Sequence, residues 1–256
     1  MHPRPKRSLG QNFLRDEKVV ARIIDSLDLN SQDTVIEVGP GLGALTGHLV
    51  GHGTNVIAIE FDRDMVAELR STFPDTANLT IVNTDALSVD FEDLLGNTSR
   101  VKVVANLPYN ISTAILQRFI AKRELFTVLV LMFQKEVVDR ILALPGKSER
   151  GFLTVLTQNA FTAERLFDVP PDAFFPVPKV QSSVVKLMPC TNTFDLEALE
   201  RVASAAFRQK RKTLHNNLKE TEFSFVLTAA GVDPGRRAET LTNEEWKTVV
   251  EALNNK

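Results

Sequence analysis

Five short apolar runs, each followed by a helical stretch, constrain the fold of this chain more than any other sequence feature. The runs are DTVIEV, NVIAIE, LTIVN, VKVVAN and FTVLVLMF, which begin at residues 33, 55, 79, 101 and 126. Their short length, β-branched residues and flanking turn residues are typical of buried strands. Strands that alternate with helices in this way predict an α/β fold, in which helices cover both faces of a mostly parallel sheet.

Two more strands are predicted later in the chain, in ERLFDV at 164–169 and in SSVVKLM at 182–188. The proline-rich segment between them is predicted to be a stiff loop, because proline has no N–H to donate to a sheet. Two strands joined by such a loop would add an antiparallel edge, which brings the predicted sheet to seven strands.

The last part of the chain has a different pattern. From about Thr191 it is wholly helical, in DLEALERVASAAFRQKRKTLHNNL, EFSFVLTAAG and NEEWKTVVEALNN. We therefore predict a boundary near residues 190–194, with an α/β domain over 1–190 and a small all-helical domain over 191–256.

Composition limits the class of protein. The 256 residues are 43% hydrophobic and 24% charged, which is typical of a globular protein. The single cysteine, Cys190, excludes an internal disulfide and a cysteine-rich zinc site, and we expect no metal. No run reaches the roughly 18 apolar residues of a membrane span, and the basic N-terminus lacks the apolar core of a secretory signal. We therefore expect a cytoplasmic protein without membrane contact.

A glycine turn follows the first predicted strand. The strand runs into Glu37 and then into Gly39, Pro40, Gly41 and Gly43. Glycine lets backbone approach a ligand closely between a strand and a helix. Dinucleotide enzymes use a related turn, so the glycines alone do not identify the ligand. S-adenosylmethionine is favoured because Glu37 can hold its cationic methionine end through bound water, whereas Pro40 fits poorly in a pyrophosphate cradle.

Acidic residues follow the next two strands. Glu60 ends the second strand about twenty residues past the glycines, where a carboxylate can accept both ribose hydroxyls of a nucleoside. After the third strand, Asp85 is predicted to accept from the exocyclic amine of adenine, while the backbone N–H of Ala86 donates. Each acid alone could be a solvated loop carboxylate. Their positions at successive strand ends, with Glu37, favour one shared site.

The fourth strand ends in NLPYN, residues 106–110. The lone pair of an adenine amino group is delocalised into the base, so this nitrogen is a poor nucleophile. The side-chain oxygen of Asn106 and the carbonyl of Leu107 can accept its hydrogens and thereby favour a pyramidal nitrogen. Pro108 stiffens the loop, and Tyr109 offers a ring on which a base can stack. The alternative is a strand-ending turn with a core tyrosine.

The formal net charge of −2 hides two clusters of positive charge. They are Arg4, Lys6, Arg7 and Arg15 in an N-terminal arm (residues 1–15), and Arg208, Lys210, Arg211 and Lys212 in what we call the basic cluster. Such side chains neutralise phosphates without reading sequence. We predict that Arg4, Lys6, Arg7 and the basic cluster bind RNA; the alternative for the basic cluster is a solvated helix face.

Together these motifs resemble the small-subunit ribosomal RNA adenine N6,N6-dimethyltransferase family. The resemblance covers nearly the whole chain and rests on LGQNFL at 9–14, EVGPGLGALT at 37–46, NLPYNIS at 106–112, FQKEV at 133–137, AFFPVPKV at 173–180, AF at 206–207 and KRKT at 210–213. Of these, GQNFL and FQKEV in combination are far more specific than the glycine turn.

The resemblance implies a Rossmann-like class I methyltransferase fold, a mostly parallel seven-stranded sheet with a helical domain that binds RNA or the ribosome. It implies S-adenosylmethionine-dependent dimethylation of N6 of two adjacent adenosines near the 3′ end of small-subunit (16S) rRNA, during 30S subunit biogenesis. The partner is then rRNA in a partly assembled 30S subunit, and the enzyme is expected to be a monomer.

The resemblance also implies roles for individual residues. Asn12 and Leu14 are expected to fold over the cofactor, together with Gly39, Glu60, Asp85 and Asn106. Phe174 is expected to enter the active site and hold the target adenine against Tyr109. By sequence alone Phe175 could stack on the target adenine instead of Phe174. The alternative role of Phe175 is packing in the core.

Three other functions are weighed against this one. Large-subunit rRNA adenine methyltransferases share the NLPY-type loop, but the compact tail with AFRQKRKTLHNNL favours the small-subunit branch. DNA adenine methyltransferases usually have two prolines where this chain has Leu107 and Pro108, and a larger recognition domain. A non-catalytic ribosome assembly factor is disfavoured because Glu60, Asp85 and the NLPY loop are intact.

Overall fold

The computed structural model of the chain describes residues 5–6, 9–98, 101–108, 111–191 and 195–255. Three residues with predicted roles, Arg4, Arg7 and Tyr109, lie outside these ranges.

Within the described ranges, strands and helices alternate from residue 34 to residue 134 as predicted. The strands are β1 Phe13–Leu14, β2 Thr34–Val38, β3 Asn55–Glu60, β4 Leu79–Asn83, β5 Val101–Asn106, β6 Phe126–Gln134, β7 Phe161–Val169, β8 Phe174–Phe175 and β9 Ser182–Pro189. The helices are α1 Glu17–Ser26, α2 Ala44–Gly51, α3 Arg63–Thr72, α4 Phe91–Leu95, α5 Ser112–Ala121, α6 Lys135–Ile141, α7 Phe152–Ala160, α8 Leu196–Ala206, α9 Leu214–Leu218, α10 Val226–Ala229 and α11 Asn243–Asn254. No helix in these ranges has the length and apolar character needed to cross a membrane.

Seven of the strands form one sheet in the order β4-β3-β2-β5-β6-β9-β7. β2 pairs in parallel with β3 and β5, β3 with β4, and β5 with β6, whereas β9 is antiparallel to β6. This confirms the predicted Rossmann-like α/β fold with an antiparallel edge. The strand order reverses between β2 and β5, and ligands of such sheets bind at the carboxyl ends beside that reversal.

A two-residue ribbon was not predicted. β1 pairs antiparallel with β8, with Phe13 opposite Phe175 and Leu14 opposite Phe174. Paired residues leave a ribbon on the same face, so Leu14 and Phe174 share one face and the other two residues share the opposite face. Leu14 and Phe174 are buried in the main apolar cluster.

Helix α1 shows how the sequence fixes its own packing. Val19, Val20, Ile23 and Ile24 recur at helical spacing and are buried in the same apolar cluster. The carboxylate of Asp16 accepts the backbone N–H groups of Lys18 and Val19, so the helix begins there. The position of the preceding β1 is thereby tied to the core.

The chain divides into two compact units, and the division differs from the predicted single boundary at 190. One unit contains residues 1–138 and 164–189, and the other contains 139–163 and 190–256. The reason is α7, whose residues are buried on most sides and pack against α8 and α11. A helix that is apolar nearly all round needs partners on several faces, and the C-terminal helices supply them.

A buried arginine connects the two segments of the second unit. Arg150 is fully buried, and its guanidinium donates to the carbonyl of Ala143 at 2.9 Å and to Gln158 Oε1 and Asn243 Oδ1 at 2.7 Å each. Burial lowers the pKa of Arg150. Because Asn243 begins α11, these bonds join the 139–163 segment to the last helix.

The first predicted helical segment of the C-terminal part is broken. α8 ends at Ala206 and α9 begins at Leu214, so the basic cluster lies in the turn between them rather than on a helix face. The side-chain amide of Asn217 caps the end of α8, since its Nδ2 donates to the carbonyls of Ala206 at 2.7 Å and Gln209 at 3.2 Å. In the next predicted segment, only Val226–Ala229 is α-helical.

Candidate active site

A cavity of about 260 Å³ opens at the carboxyl ends of β2, β3, β4 and β5. The structure brings all nine residues of the predicted cofactor set to its wall, together with two residues of the predicted catalytic loop. These residues are Asn12, Leu14, Glu37, Gly39, Gly41, Glu60, Asp85, Ala86 and Asn106, with Leu107 and Pro108 from the loop. Residues separated by up to about 95 positions in sequence therefore share one site.

The glycine turn has little room for a side chain at Gly41. Gly41 has φ +57°, and a Cβ added there would lie 3.0 Å from Cδ1 of Phe13. Both its left-handed backbone and this close approach require glycine. The Phe13 ring therefore packs directly on the turn, and the backbone of the turn forms the cavity floor.

Glu37 is a buried carboxyl group at the end of β2. The hydroxyl of Thr46 donates to its Oε2 at 2.6 Å. Burial raises the pKa of Glu37 to about 7, helped by the negative charge of Glu60, while the Thr46 hydrogen bond opposes the rise. At neutral pH this group is therefore partly ionised, and a cationic group that enters the cavity favours its ionised form.

Glu60 is held in one orientation by backbone donors. Its Oε2 accepts the N–H of Gly41 at 3.2 Å, and its Oε1 accepts the N–H of Asp62 at 2.8 Å. Burial raises the pKa of Glu60 despite these hydrogen bonds. The carboxylate is thus fixed between the glycine turn and the end of β3, facing the cavity that it lines.

Asp62 anchors the N-terminal segment, and this role of Asp62 was not predicted from the sequence. Its carboxylate accepts from Lys6 Nζ at 2.6 Å and from Gln11 Nε2 at 2.9 Å, and it also caps α3. Lys6 contacts Asp64 at 2.6 Å as well, and these two carboxylates raise its pKa. Lys6 is thus paired with two carboxylates of its own chain, and its backbone N–H donates to Gln11 Oε1 at 2.8 Å. Its role in RNA binding stays a prediction.

Asp85 and Phe61 lie at the cavity side of β4 and β3. The Oδ1 of Asp85 accepts the N–H of Leu87 at 2.9 Å, which fixes the carboxylate and leaves Oδ2 for a ligand. The Phe61 side chain lines the same cavity and is 60% exposed. Phe61 was not predicted from the sequence, although an aromatic residue directly after Glu60 is the signal that could have identified it.

The orientation of the Asn106 amide is set by the N-terminal segment. Its Nδ2 donates to the backbone carbonyl of Asn12 at 3.1 Å. The side-chain oxygen then carries the free acceptor capacity of this amide. Leu107 follows as a buried residue of the cavity wall. The two acceptors predicted for a target amine, Asn106 Oδ1 and the Leu107 carbonyl, are thus consecutive in the chain.

The structure separates Phe174 from Phe175. Phe174 is 3% exposed, belongs to the apolar core and does not line the cavity, whereas Phe175 is 45% exposed. Phe174 thus packs in the core in this structure, and its contact with a target adenine stays a prediction. Core packing was the alternative role for Phe175, but it is Phe174 that packs in the core. The β1–β8 register pairs Phe174 with the buried Leu14.

The four side chains of the basic cluster are exposed. Two backbone N–H groups hold this turn by hydrogen bonds. Gln209 N–H donates to the side-chain Oδ1 of Asn217 at 3.2 Å, and Lys212 N–H donates to the Gln209 carbonyl at 2.9 Å. In the described part of the chain, no carboxylate forms an ion pair with any of the four. Lys210 Nζ donates to the carbonyl of Ser148. The charges of Arg208, Arg211 and Lys212 are available to a partner.

Comparisons with known proteins agree with this geometry. The sequence profile of the ribosomal RNA adenine dimethylase family matches residues 3–255. Ribosomal RNA small subunit methyltransferase A of Geobacter metallireducens is 42% identical, with 98% of this chain and 96% of that protein covered. The protein of the same name from Syntrophotalea carbinolica is 44% identical, with 99% and 98% covered.

Two solved structures share the whole fold. A dimethyladenosine transferase from Plasmodium falciparum superposes with a TM-score of 0.80 at 26% identity, covering 95% of this chain and 98% of that one. The 23S rRNA methyltransferase ErmE superposes with a TM-score of 0.71 at 27% identity, covering 95% and 100%.

The raised pKa of Glu37 leads to a pH-dependent stability. An ordinary glutamate has a pKa of 4.5, so the unfolded chain releases this proton at a lower pH than the folded chain does. The free energy of unfolding therefore falls as the pH rises from about 4.5 to about 7. We expect Glu37→Gln to remove this fall. Its free energy of unfolding is then expected to exceed that of the unchanged protein by about 3 kcal/mol at pH 8, with little difference near pH 4.5.

Thermal unfolding between pH 5 and pH 8 measures this difference, which corresponds to a Tm gap of about 6 °C or more at pH 8. Glu200→Gln, at an exposed position on α8, is the matched control and is expected to leave the gap near zero. A Tm difference between Glu37→Gln and the unchanged protein that stays constant over this pH range would contradict a raised pKa of Glu37.

Proposed function

The chain belongs to the ribosomal RNA adenine dimethylase family, and we propose that it dimethylates N6 of two adjacent adenosines near the 3′ end of small-subunit (16S) rRNA, with S-adenosylmethionine as methyl donor. The observation that carries the proposal is the cavity that Glu60, Asp85 and Asn106 line together. The bacterial relatives named as small-subunit methyltransferases support the choice of RNA.

The cavity fits S-adenosylmethionine, which supplies a methyl group on a positively charged sulfur. Glu60 is fixed by two backbone donors and can accept the ribose hydroxyls. Asp85 keeps one oxygen for the adenine amine, and Phe61 offers its exposed ring to the adenine face. The ionised form of Glu37 stabilises the cationic methionine end, since both would be buried together.

Asn106 and Leu107 are proposed to orient the target amine. The Asn106 oxygen is directed by the bond from its Nδ2 to Asn12, so the acceptor is in place before RNA binds. Acceptors on the two amino hydrogens favour a pyramidal nitrogen whose lone pair points away from them. No strong base is needed, because the nitrogen becomes acidic only after alkylation. Tyr109 and Phe174 are proposed to hold the target base between them.

The basic cluster is proposed to bind phosphates of the ribosomal subunit. Its four cations are exposed and without carboxylate partners in the described chain, and phosphate contacts of this kind position a protein on RNA. Selection of two particular adenosines then comes from RNA shape in a partly assembled 30S subunit. We also propose a cytoplasmic monomer, since residues of one chain line the whole cavity.

Transfer of labelled methyl groups tests the proposed function. Unmethylated small ribosomal subunits, large-subunit RNA and DNA are incubated with the protein and labelled S-adenosylmethionine. The proposal expects label as N6,N6-dimethyladenosine on small-subunit RNA only. Label on large-subunit RNA would indicate the activity of the ErmE-like relatives, and label on DNA a DNA methyltransferase. Binding to the small subunit without any label would indicate an assembly factor.

Phe61 gives the first prediction of this proposal. Stacking of a base on an aromatic side chain contributes about 1–3 kcal/mol, so Phe61→Ala is expected to weaken S-adenosylmethionine binding by about tenfold. Isothermal titration measures the dissociation constant. Leu144→Ala removes another exposed apolar side chain, 67% exposed, and is expected to bind as the unchanged protein does. Equal affinities for both variants would show that the ring does not contact the cofactor.

Asn106 gives the second prediction. Asn106→Ala removes one acceptor on the target amine and the bond to Asn12, so methyl transfer is expected to fall by at least about 10²-fold. Binding to the small subunit is expected to persist, because exposed cations supply that affinity. Single-turnover rates and subunit binding are measured side by side. Lost binding with unchanged turnover per bound complex would refute the role given to Asn106.

The basic cluster gives the third prediction. Arg211→Glu combined with Lys212→Glu is expected to weaken subunit binding and to reduce its salt dependence, while cofactor affinity stays unchanged. The matched control is Arg201→Glu with Arg70→Glu, which changes the net charge equally at exposed positions of α8 and α3. The same loss in both double variants would mean that net charge, and not this turn, determines binding.

A further inference from the structure

An exposed aromatic ring lies next to the cavity and has no role in the site described above. Phe175 is 45% exposed and pairs with Phe13 across the β1–β8 ribbon. Paired residues share a face, and Phe13 lines the cavity and packs on Gly41. The Phe175 ring therefore leaves the ribbon on the same face as Phe13, whose ring packs on the glycine turn of the cavity.

Arg15 lies over this ring. Its guanidinium carbon is 4.1 Å from the ring centroid, which is the geometry of a cation–π contact. Arg15 is two residues after Phe13, so it leaves the strand on the same face, and its backbone N–H donates to Ala173 at 2.8 Å. In the described chain Arg15 has no carboxylate partner, since the neighbouring Asp16 caps α1.

The loop that carries Phe175 is held at both ends. Before it, Asp168 accepts from Lys135 Nζ at 2.5 Å and also from the Ser183 hydroxyl. After it, the Gln181 carbonyl accepts the Lys135 backbone N–H at 2.9 Å. The aromatic ring is thus presented by a braced segment, so little ordering entropy is lost when a ligand stacks on it.

The rest of the loop is exposed and of mixed character. Val177 is 63% exposed and Val180 is 42% exposed, with the exposed Lys179 between them. Apolar surface beside cations is what single-stranded nucleic acid contacts, because bases stack on rings while phosphates bind the cations. This composition favours RNA over a protein partner for the loop.

We propose that Phe175 and Arg15 form a stacking platform for the nucleotide adjacent to the adenosine in the cavity. The proposal rests on the proposed function: two neighbouring adenosines are modified, so one must lie at the rim while the other occupies the cavity. The neighbouring base stacks on the Phe175 ring, and Arg15 neutralises the phosphate that joins the two nucleotides. Phe175 is then a positioning residue, and its ring does not touch the reacting atoms.

Kinetics on two kinds of small subunit test the platform. One kind carries the two adjacent adenosines, and the other carries uridine in place of one of them, which offers a smaller base for stacking. Phe175→Ala is expected to raise KM for the first kind by about tenfold with kcat changed little. On the uridine-containing subunits the penalty is expected to fall to about threefold or less. Phe175→Trp is expected to restore KM on both.

Structural effects are separated by controls. Met188→Ala removes an apolar side chain that is 38% exposed in the same unit and is expected to change neither constant. Thermal unfolding and cofactor affinity of Phe175→Ala are expected to match the unchanged protein. An equal penalty on both kinds of subunit, or no recovery with Phe175→Trp, would overturn the platform.

The test also distinguishes failure of the platform from failure of the proposed function. If the unchanged protein transfers no methyl group to small subunits, the proposed function fails. The same variants are then compared by dissociation constants for the two kinds of subunit. A tenfold weakening by Phe175→Ala that depends on the neighbouring base would still support the platform, whereas unchanged dissociation constants would refute it.

Discussion

Parallel pairing around β2 is the constraint on which the rest of the site depends. Because β3, β4, β2 and β5 run in the same direction and in register, their carboxyl ends lie at one edge. The polar residues at or next to these four ends are therefore neighbours: Glu37, Glu60, Asn83 and Asn106. Apolar packing along the strands therefore determines where the chemistry is located.

The same edge carries an electrostatic cost. Glu37 and Glu60 are both removed from water, and burial raises the pKa of each. The fold tolerates two acids in this position because hydroxyl and backbone donors surround them, from Thr46, Gly41 and Asp62. A cationic ligand would offset the remaining desolvation cost of the two carboxyl groups. This offset would contribute to the free energy of binding.

The strands and the acids at their ends could be predicted because both signals are local. The β1–β8 ribbon could not, since two-residue strands show no periodicity and their partners are about 160 residues apart. The roles of Phe174 and Phe175 depend on that register, so sequence could not separate two adjacent phenylalanines. Lys6 appeared to be a free cation because its partner, Asp62, is distant in sequence. The break between α8 and α9 was not predicted either; it is capped by the side chain of Asn217, eleven residues after Ala206.

The second unit is assembled from two separate stretches of chain, with α7 and Arg150 supplied by the first and α8 and α11 by the second. Truncation at residue 190 would therefore not release an intact catalytic half. It would leave an apolar helix and a charged guanidinium exposed without partners, and the tail alone would lack the centre of its own core. The polypeptide crosses between units after residues 138, 163 and 189, so genetic exchange of the C-terminal segment between relatives must carry residues 139–163 with it.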